Sequence, residues 1–409
     1  MTQVPTAAPL RSERVASLDL LRGLVMVLMA LDHTRDFFGD PRVSPEAVGM
    51  QQPLLFLTRW VTHICAPSFV FLAGVSAFLH GTREYMDRAR QTRFLVVRGL
   101  WLLLLEVSVV SAGWLGALAF NFTILQVIGA IGIAMVALGG LIWLPRKAIL
   151  AISLILVAGH NLMDDVISGD LGSASWLWTL VHEGSSRAPL VLFGHQLWIQ
   201  YAVLPWVGIM GLGYACGPIL QGPRESRRKQ LFLLGTGVIT LFVFLRYSGI
   251  YGDPDSWETQ QSVLATCIDF VNVTKYPPSL LFSLMTLGPA LVFLACFDRE
   301  PSRPTGWLAN KLVVFGRVPL FYYILHLFVI QISSGLLAWV RDGHYFTTFE
   351  RLFGSFLAGG QPLPASFGND NDLLTVYGAW LIIVVGLYPV CRWYGERKRA
   401  GTSWLWSYL

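Results

Sequence analysis

The first apolar segment of the chain carries ionisable residues at both of its ends. Asp19 and Arg22 lie near its start, and Asp32, His33 and Asp36 lie near its end. An α-helix turns about 100° per residue, so Arg22 and His33 fall on one helix face, about 16 Å apart along the axis. An arginine can bind phosphate through two parallel hydrogen bonds, and a histidine can act as a general base near neutral pH. The spacing therefore predicts an anion-binding end and a proton-transfer end on one face.

The residues between these two ends could line a narrow channel that runs along this face of the helix. Met26 and Met29 fall on the stripe that joins Arg22 to His33, and the thioether side chain of Met is slim and polarizable. Asp19 precedes Arg22 by three residues and can pair with it on the helix surface. The alternative is that the Asp19–Arg22 pair only anchors the helix at a membrane interface.

The two acidic residues that flank His33 have different expected partners. Asp36 follows His33 by three residues and is close enough to orient the imidazole, whereas Asp32 points away and can pair with Arg35. We predict that Asp36 or Asp32 sets the tautomer of His33. The alternative is that His33 marks a solvated helix end.

Composition places the chain in the membrane class. Of its 409 residues, 54% are apolar and 13% are charged, about half the charged fraction that is typical of soluble proteins. A helix of about 20 apolar residues crosses a bilayer. This predicts an all-α polytopic protein with about ten transmembrane helices. The apolar runs cover residues 18–38, 56–79, 94–112, 122–144, 147–160, 196–217, 231–247, 279–297, 314–340 and 373–391.

Positive charge is distributed as expected if both termini are cytoplasmic. Lys and Arg concentrate in short segments at alternate ends of the runs, while the intervening loops are longer and less basic. This topology accounts for the net charge of +5, so we expect no nucleic-acid partner. The predicted organisation is a cytoplasmic N-terminal tail (1–16), a single transmembrane domain (17–393) and a cytoplasmic C-terminal tail (394–409).

Polar residues near the predicted outer side form a second group. His63 lies on the same predicted side as His33, and Pro67 removes the backbone donor to residue 63, which can kink the helix. His63 is either a second histidine of one outer cavity or an interfacial residue that contacts lipid headgroups. Lys275 and Tyr276 precede the eighth run, where they either position an acceptor or anchor a helix end.

The ninth run contains a histidine at membrane depth, where a polar partner is needed. Tyr322 precedes His326 by one helical turn and can bond to it. His326 is either a satisfied core histidine or part of a tunnel wall. Arg317 is a candidate phosphate ligand near the predicted cytoplasmic end. On a straight helix Arg317 and His326 would face opposite sides, although Pro319 between them can alter this phase.

Six stretches of the chain together resemble one known family. They read RVASLDLLRGLVMVLMALDHTRDFF (14–38), WVTHICAPSFVFLAGVSAFL (60–79), LPWVGIMGLGYACG (204–217), KYPPSLLFSLMTLGPAL (275–291), FGRVPLFYYILHLFVI (315–330) and LYPVCRWYGERKR (387–399). The chain is similar to the bacterial branch of the heparan-α-glucosaminide N-acetyltransferase catalytic-domain family, within the transmembrane acyltransferases.

The resemblance implies a reaction in which cytosolic acetyl-CoA gives its acetyl group to an amine or hydroxyl on the far side of the membrane. In the wider superfamily, LDxLRG followed by a histidine late in the first helix is the recurring start, and that histidine is the base. His33 matches this pattern. In the lysosomal member the histidine is displaced into the following loop, which keeps His63 as a second candidate.

We therefore predict a multi-pass acetyltransferase of a bacterial inner membrane with acetyl-CoA as donor, a sugar or glycan as acceptor, and membrane lipid around it. The five scattered cysteines lack metal-ligand spacing, and we expect no metal. The candidate catalytic residues are Asp32, His33, Asp36 and His63. The candidate donor-binding residues are Asp19, Arg22, Met26, Met29, Arg317, Tyr322 and His326, and the candidate acceptor-binding residues are Lys275 and Tyr276.

Two other classes of function remain open at this point. One is a transporter or exporter, with a proton or substrate path lined by buried His, Arg and Asp residues. The other is a membrane-organising protein without chemistry, in which the histidines are replaceable. A homodimer also stays open, because lipid-facing and partner-facing helix surfaces look alike in a sequence.

Overall fold

A computed structural model describes residues 15–39, 44–47, 49–116, 121–185, 189–298, 306–343 and 372–401. Within these ranges the chain forms an all-α bundle with one small sheet, and eight helical segments are long and apolar enough to cross a membrane. Helices suit a bilayer because they satisfy every backbone polar group internally. The predicted all-α polytopic fold is confirmed. The count of about ten spans and the cytoplasmic termini stay predictions, and most of the N-terminal tail lies outside the described residues.

The elements follow one another along the chain as a series of long helices joined by shorter ones. Glu106–Val110 and Thr179–Glu183 are π-helical, and His160–Met163 and Ser168–Ala174 are 3₁₀-helical. The described α-helices are α1 (Ala16–Phe38), α2 (Pro53–Thr62), α3 (Cys65–Arg83), α4 (Arg88–Leu105), α5 (Ser111–Leu115), α6 (Val127–Leu141), α7 (Arg146–Gly159), α8 (Ser175–Trp178), α9 (Val203–Gln221), α10 (Arg224–Ser248), α11 (Val263–Val271), α12 (Leu280–Phe297), α13 (Trp307–Arg317), α14 (Pro319–Asp342) and α15 (Leu373–Ala400).

Two of the predicted helical runs, 122–144 and 196–217, begin instead as β-strands. β1 (Phe122–Leu125) pairs in parallel with β3 (His195–Ile199), and β2 (Leu190–Leu192) pairs antiparallel with the other edge of β3. A short apolar run has no periodicity that separates a strand from a helix. The strand shortens the first of these runs, so α6 has 15 residues, fewer than the roughly 20 that span a bilayer.

Two other runs are interrupted at a proline. The run 56–79 breaks at His63 between α2 and α3, and Pro67 is the residue whose missing N–H would have bonded to the carbonyl of His63. The run 314–340 breaks at Val318, whose φ of −129° and ψ of 47° lie outside the helical region. A residue that precedes a proline is pushed out of the helical region, so Pro319 separates α13 from α14.

Helix α1 lies at the centre of the bundle, in contact with α2, α3, α12, α13, α14 and α15. Its apolar residues are almost completely enclosed, for example Val25, Ala30 and Phe37, each at 0% exposure. The same helix carries acidic and basic residues near both ends. These polar side chains must therefore be satisfied by neighbouring helices rather than by water or lipid headgroups.

Glycine residues set how closely the helices approach one another. A Cβ atom added at Gly23 of α1 would lie 1.9 Å from the carbonyl oxygen of Leu312, and one added at Gly316 of α13 would lie 1.9 Å from that of Asp19. Small residues allow such approach inside membranes, where the hydrophobic effect does not drive helices together. Close backbone approach recurs where α3 meets α9, α4 meets α6 and α10 meets α12, at the pairs Gly74–Gly213, Gly99–Gly132 and Gly235–Gly288.

One buried arginine holds the segment between α10 and α12. Arg246, 3% exposed, donates hydrogen bonds to the carbonyl oxygens of Phe270 (2.9 Å) and Asn272 (2.8 Å). Ser279 then caps α12 by accepting a hydrogen bond from the third residue of that helix. These bonds fix both ends of the stretch that contains Lys275.

The close crossing of α1 and α13 predicts that Gly316→Ala destabilises the protein. The added methyl group forces the helices apart, and overpacking of this kind costs about 1–3 kcal/mol. We expect a lower thermal midpoint and a smaller monodisperse fraction in size-exclusion chromatography. The matched control is Gly378→Ala in α15, where an added Cβ meets no atom of the described residues within 4 Å. A wild-type midpoint for Gly316→Ala would contradict the tight crossing.

Candidate active site

A cavity of about 370 Å³ lies beside α1 and is lined by side chains of α1, α3, α4, α6 and α14. Arg22, Met26 and Met29 line it from α1. Helical spacing places these three residues on one stripe with His33, and this part of the stripe faces a cavity. His33 itself is not among the residues that line the cavity. We call this space the α1 cavity.

One end of the α1 cavity is cationic. Arg22 donates hydrogen bonds to Ser76 Oγ (2.7 Å) and Asp19 Oδ1 (3.0 Å), as the predicted Asp19–Arg22 pairing requires. His80, one turn beyond Ser76, and Arg98 of α4 line the same space. The remaining wall is largely apolar. The cavity therefore combines a basic end with an apolar passage. This pattern suits a ligand that has an anionic head and a thin apolar arm.

His33 lies next to the wall of the cavity formed by α14. Tyr323 lines the cavity, and its ring centre is 6.0 Å from that of His33. The Trp114 ring meets His33 edge-on at 4.8 Å. His33 Nδ1 lies 2.8 Å from His326 Nε2, and His33 is 7% exposed. The two predicted histidines of α1 and α14 are thus brought together as a hydrogen-bonded pair.

The geometry of this pair assigns its protons. His326 Nδ1 lies 2.9 Å from the carbonyl oxygen of Tyr322, which can only accept a hydrogen bond. His326 therefore carries its proton on Nδ1 and accepts from His33 through Nε2. When both rings are neutral, His33 is protonated on Nδ1, and its Nε2 has a free lone pair. An unprotonated imidazole nitrogen is what general-base catalysis needs.

The partner that orients His33 is His326, and not Asp36 or Asp32 as expected. Asp36 is bound by the neighbouring Arg35, and Arg35 Nη2 also lies 3.2 Å from Asp32, in the pairing anticipated for that residue. A guanidinium forms stronger hydrogen bonds with a carboxylate than a neutral imidazole does. Both acidic residues therefore pair with arginine near the histidine pair and do not bind His33.

Asp32 is the centre of a cationic cluster that sequence reasoning did not foresee. Arg59 Nη1 lies 2.7 Å from each carboxylate oxygen of Asp32, and Thr62 Oγ1 donates to Asp32 at 2.8 Å. Lys275 Nζ approaches Asp32 Oδ2 at 3.9 Å. The side chains of Arg59 and Asp32 are only 10% and 13% exposed. Pairing of this kind is what allows charged groups to be buried.

Glu46 extends the cluster into the loop after α1. Arg59 Nε donates to Glu46 Oε1 at 2.8 Å, and His63 Nε2 lies 3.7 Å from the same oxygen. Burial raises the pKa of Glu46, but the neighbouring His63 and Arg59 outweigh it and hold the pKa well below its usual range. The carboxylate form therefore stabilises the fold above about pH 4.3, and this contribution is lost as the pH falls.

His63 is buried beside Glu46, which Arg59 joins to Asp32. It is 1% exposed, its ring packs against Phe282 at 5.3 Å, and its nearest polar neighbour among the described residues is Glu46. Its link to the histidine pair runs through Arg59 and Asp32. A role for His63 in catalysis stays a prediction.

The predicted acceptor residues lie beside the same cluster. Lys275 is 7% exposed, and its ammonium lies 5.1 Å from the centre of the Tyr276 ring. Tyr276 packs edge-on against Tyr201 at 5.5 Å. Together with the Lys275–Asp32 approach, these contacts place both residues near α1. Their binding of an acceptor stays a prediction.

The other residues proposed for the donor occupy different places. Arg317 Nε lies 3.9 Å from Asp19 Oδ2, so the two arginines Arg22 and Arg317 share one carboxylate. Tyr322 is fully buried, and its ring stacks on His326 at 5.1 Å. Of the predicted donor-binding residues, Arg22, Met26 and Met29 line the cavity. Asp19 and Arg317 are not part of its lining, and Tyr322 and His326 contact the histidine pair instead.

Sequence reasoning missed Arg59, Ser76 and Trp114. Arg59 carried a signal, because a cation inside an apolar helix needs a partner at membrane depth. Ser76 and Trp114 carried none, since serine and tryptophan are common in membrane helices and at their ends. Only the packing of α3 and α5 against α1 and α14 brings these two residues to the site.

The amino-acid sequence of the chain matches one known protein family. The sequence model of the heparan-alpha-glucosaminide N-acetyltransferase catalytic family matches residues 14–248, which is more than half of the chain. The chain belongs to this family. No functionally curated protein matches the chain. The family predicted from the six stretches is thus confirmed, and its members' activity indicates a transmembrane acetyltransferase.

The matched region covers part of the site. It includes helices α1 to α10, and with them Arg22, His33 and Arg59. His326 and Lys275 lie beyond it. Two parts of the site therefore come from outside the matched region. They are His326, which bonds to His33, and Lys275, which approaches Asp32.

The buried Arg59–Asp32 pair predicts a large effect of Arg59→Met on stability. Without Arg59, Asp32 keeps only the more distant cations Arg35 and Lys275, and Glu46 loses its arginine partner. Loss of one partner from a buried pair costs up to about 3–5 kcal/mol. We expect a strong fall in the thermal midpoint of the purified protein. The matched control is Arg392→Met, whose partner Glu396 and own side chain are 51% and 62% exposed; exposed pairs contribute about 0–1 kcal/mol. Equal midpoints for the two variants would contradict a buried pair.

Proposed function

We propose that this protein transfers an acetyl group from acetyl-CoA in the cytoplasm to a hydroxyl or amine of a sugar or glycan on the outer side of a bacterial inner membrane. The observation that carries the proposal is one cavity with Arg22 at its basic end and Tyr323, in contact with His33, in its wall. Family membership supports the acetyltransferase class. Donor, acceptor and orientation are our inference.

The donor would lie along α1. The phosphate groups of CoA would meet Arg22, His80 and Arg98 at the basic end, and the thin pantetheine arm would follow Met26 and Met29. The axial distance from Arg22 to His33 is about 16 Å, which an extended pantetheine arm can cover. The cavity volume of about 370 Å³ falls within the range of about 300–1,000 Å³ typical of small-molecule pockets.

The chemistry would use the free lone pair of His33. His33 Nε2 takes the proton of the acceptor hydroxyl or amine as that group attacks the thioester carbonyl. A new C–O or C–N bond forms, the C–S bond breaks, and the proton passes to the CoA thiolate. His326 holds the His33 tautomer and stabilises the imidazolium that forms, because its Nε2 accepts the Nδ1 hydrogen bond. Positioning of the two substrates supplies much of the remaining rate enhancement.

The base assignment predicts the effect of His33→Ala. Vesicles that contain the protein are loaded inside with radiolabelled acetyl-CoA, and glucosamine is supplied outside as a probe acceptor. We expect labelled N-acetylglucosamine outside and free CoA inside for the wild type, and a rate lower by about 10²–10⁴ for His33→Ala. His195→Ala, at a histidine on β3 that contacts Thr123, serves as the control.

The same assay separates the alternatives. A transporter would move its ligand chemically unaltered, and no CoA would accumulate inside the vesicles. Undiminished acetyl transfer by folded His33→Ala protein would refute the role of His33. Isothermal titration with CoA checks that the His33→Ala protein still binds the donor.

The α1 cavity predicts a separate effect on donor binding. Ala73 lines the cavity from α3, so Ala73→Phe should fill part of the passage and weaken acetyl-CoA binding at least about tenfold, a change of about 1.4 kcal/mol. Leu100→Phe, on a 55% exposed position of α4, should bind the donor like the wild type. Binding constants come from calorimetry in nanodiscs. Equal affinities for both variants would place the donor elsewhere.

A further inference from the structure

A second cluster of polar residues lies apart from the α1 cavity, where α7 ends. The helix continues past its last α-helical residue as the 3₁₀ segment His160–Met163. His160 and Asp164 are one turn apart and share a face. His182, in the π-helical segment Thr179–Glu183, packs against them. The cluster thus joins the end of α7 to the segment that precedes the sheet.

The three side chains converge as metal ligands do. One ligand atom from each lies within 4.8 Å of the other two. His182 Nε2 is 3.5 Å from Asp164 Oδ1, and the two imidazole rings are 5.8 Å apart at an angle of 70°. Ligand atoms around a tetrahedral zinc ion with bonds of about 2.0–2.1 Å lie about 3.4 Å from one another. Small side-chain rotations would bring the whole set to that spacing.

The two histidines are buried without ordinary hydrogen bonds. His160 is 1% exposed and His182 is 2% exposed. Among the described residues, neither ring nitrogen of His160 has a partner at ordinary hydrogen-bond distance, and neither has His182 Nδ1. A buried polar group without a partner destabilises the fold. An ion pair with Asp164 accounts for one nitrogen of His182, and the nearby carbonyl of Pro278 accounts for one nitrogen of His160, so one nitrogen of each ring is left without a partner among the described residues.

Neighbouring groups could hold two of the ligands in place. Asn161 Nδ2 donates to Asp164 Oδ2 at 2.7 Å, which leaves Oδ1 for a metal ion. The backbone carbonyl of Pro278 accepts a weak hydrogen bond from the His160 ring, which leaves the other ring nitrogen for a metal ion. Ligating carboxylates and histidines usually have such outer partners, and the partner of the second imidazole nitrogen is often a backbone carbonyl.

We infer that His160, Asp164 and His182 bind one divalent transition-metal ion of the Zn²⁺ type. Two imidazoles and one carboxylate suit zinc better than Ca²⁺ or Mg²⁺, which prefer oxygen ligands. Three protein ligands leave a fourth position for water or an acceptor group. The Asp164 side chain is 23% exposed and provides a route for the ion from solvent. The site departs from our expectation, from the cysteines, of a metal-free protein.

The position of the site suggests what the ion would stabilise. The backbone N–H of Leu280 donates to Asn161 Oδ1 at 2.9 Å, so the cluster is tied to the start of α12. The stretch just before α12 contains Lys275, which approaches Asp32. A bound ion would therefore fix the end of α7 against the segment whose Lys275 reaches Asp32, the residue next to His33.

The test is metal binding by the full-length protein in lipid nanodiscs. The protein is stripped with EDTA and then titrated with ZnCl₂ by calorimetry, and with CoCl₂ by visible absorption. We expect one ion per chain and the intense visible bands of tetrahedral Co²⁺. His160→Gln and His182→Gln should each weaken binding at least about 100-fold, since loss of an outer partner alone costs 10–100-fold.

Two controls keep the result interpretable. His195→Gln, at a histidine outside the cluster, should bind Zn²⁺ like the wild type, and so should His33→Ala, because the site does not depend on the acetyltransferase chemistry. If the buried His→Gln proteins fail to fold, the partly exposed Asp164→Asn variant replaces them, with the same expected loss. The absence of saturable one-to-one binding, or unchanged affinity in folded variants of the cluster, would overturn the proposal.

Discussion

The structure depends on one requirement: the charged and imidazole side chains of α1 must find partners inside an apolar bundle. A single charge at membrane depth costs about 2.5–3.5 kcal/mol on insertion scales. Arg22 reaches α3 through a hydrogen bond, Asp32 binds Arg59 of α2, and His33 bonds to His326 of α14. Because these partners belong to different helices, satisfying α1 also decides which helices surround it.

Glycine then decides how near those helices come. Polar bonds choose the neighbours of α1, but at Gly23 and Gly316 the absence of a side chain lets the backbones of α1 and α13 touch. Such contact leaves little freedom for α1 to rotate or slide. A catalytic side chain must be held within about 0.5 Å of its productive position by rigid elements. The tight crossing therefore serves the placement of His33 as well as the stability of the bundle.

The side of the bundle near the end of α1 is organised by one segment of the chain. Residues 272–280 reach the Asp32 cluster through Lys275 and the end of α7 through Leu280. Arg246 fixes this segment from α10. In our proposal the acceptor approaches from this side, so an ion at the end of α7 and the cations around Asp32 would shape the same surface.

The sequence by itself determined the features that follow from helix periodicity and local chemistry. It placed Arg22, Met26 and Met29 on one face of α1, because a helix turns by a constant angle per residue. It did not determine that His326 would orient His33, or that Arg59 would bind the neighbouring aspartate. Those partners are distant in the chain, and only the packing of α2 and α14 against α1 decides which polar groups meet. The strands at the start of two predicted helices have the same origin, because β1 forms only where β3 is present to exchange backbone hydrogen bonds with it.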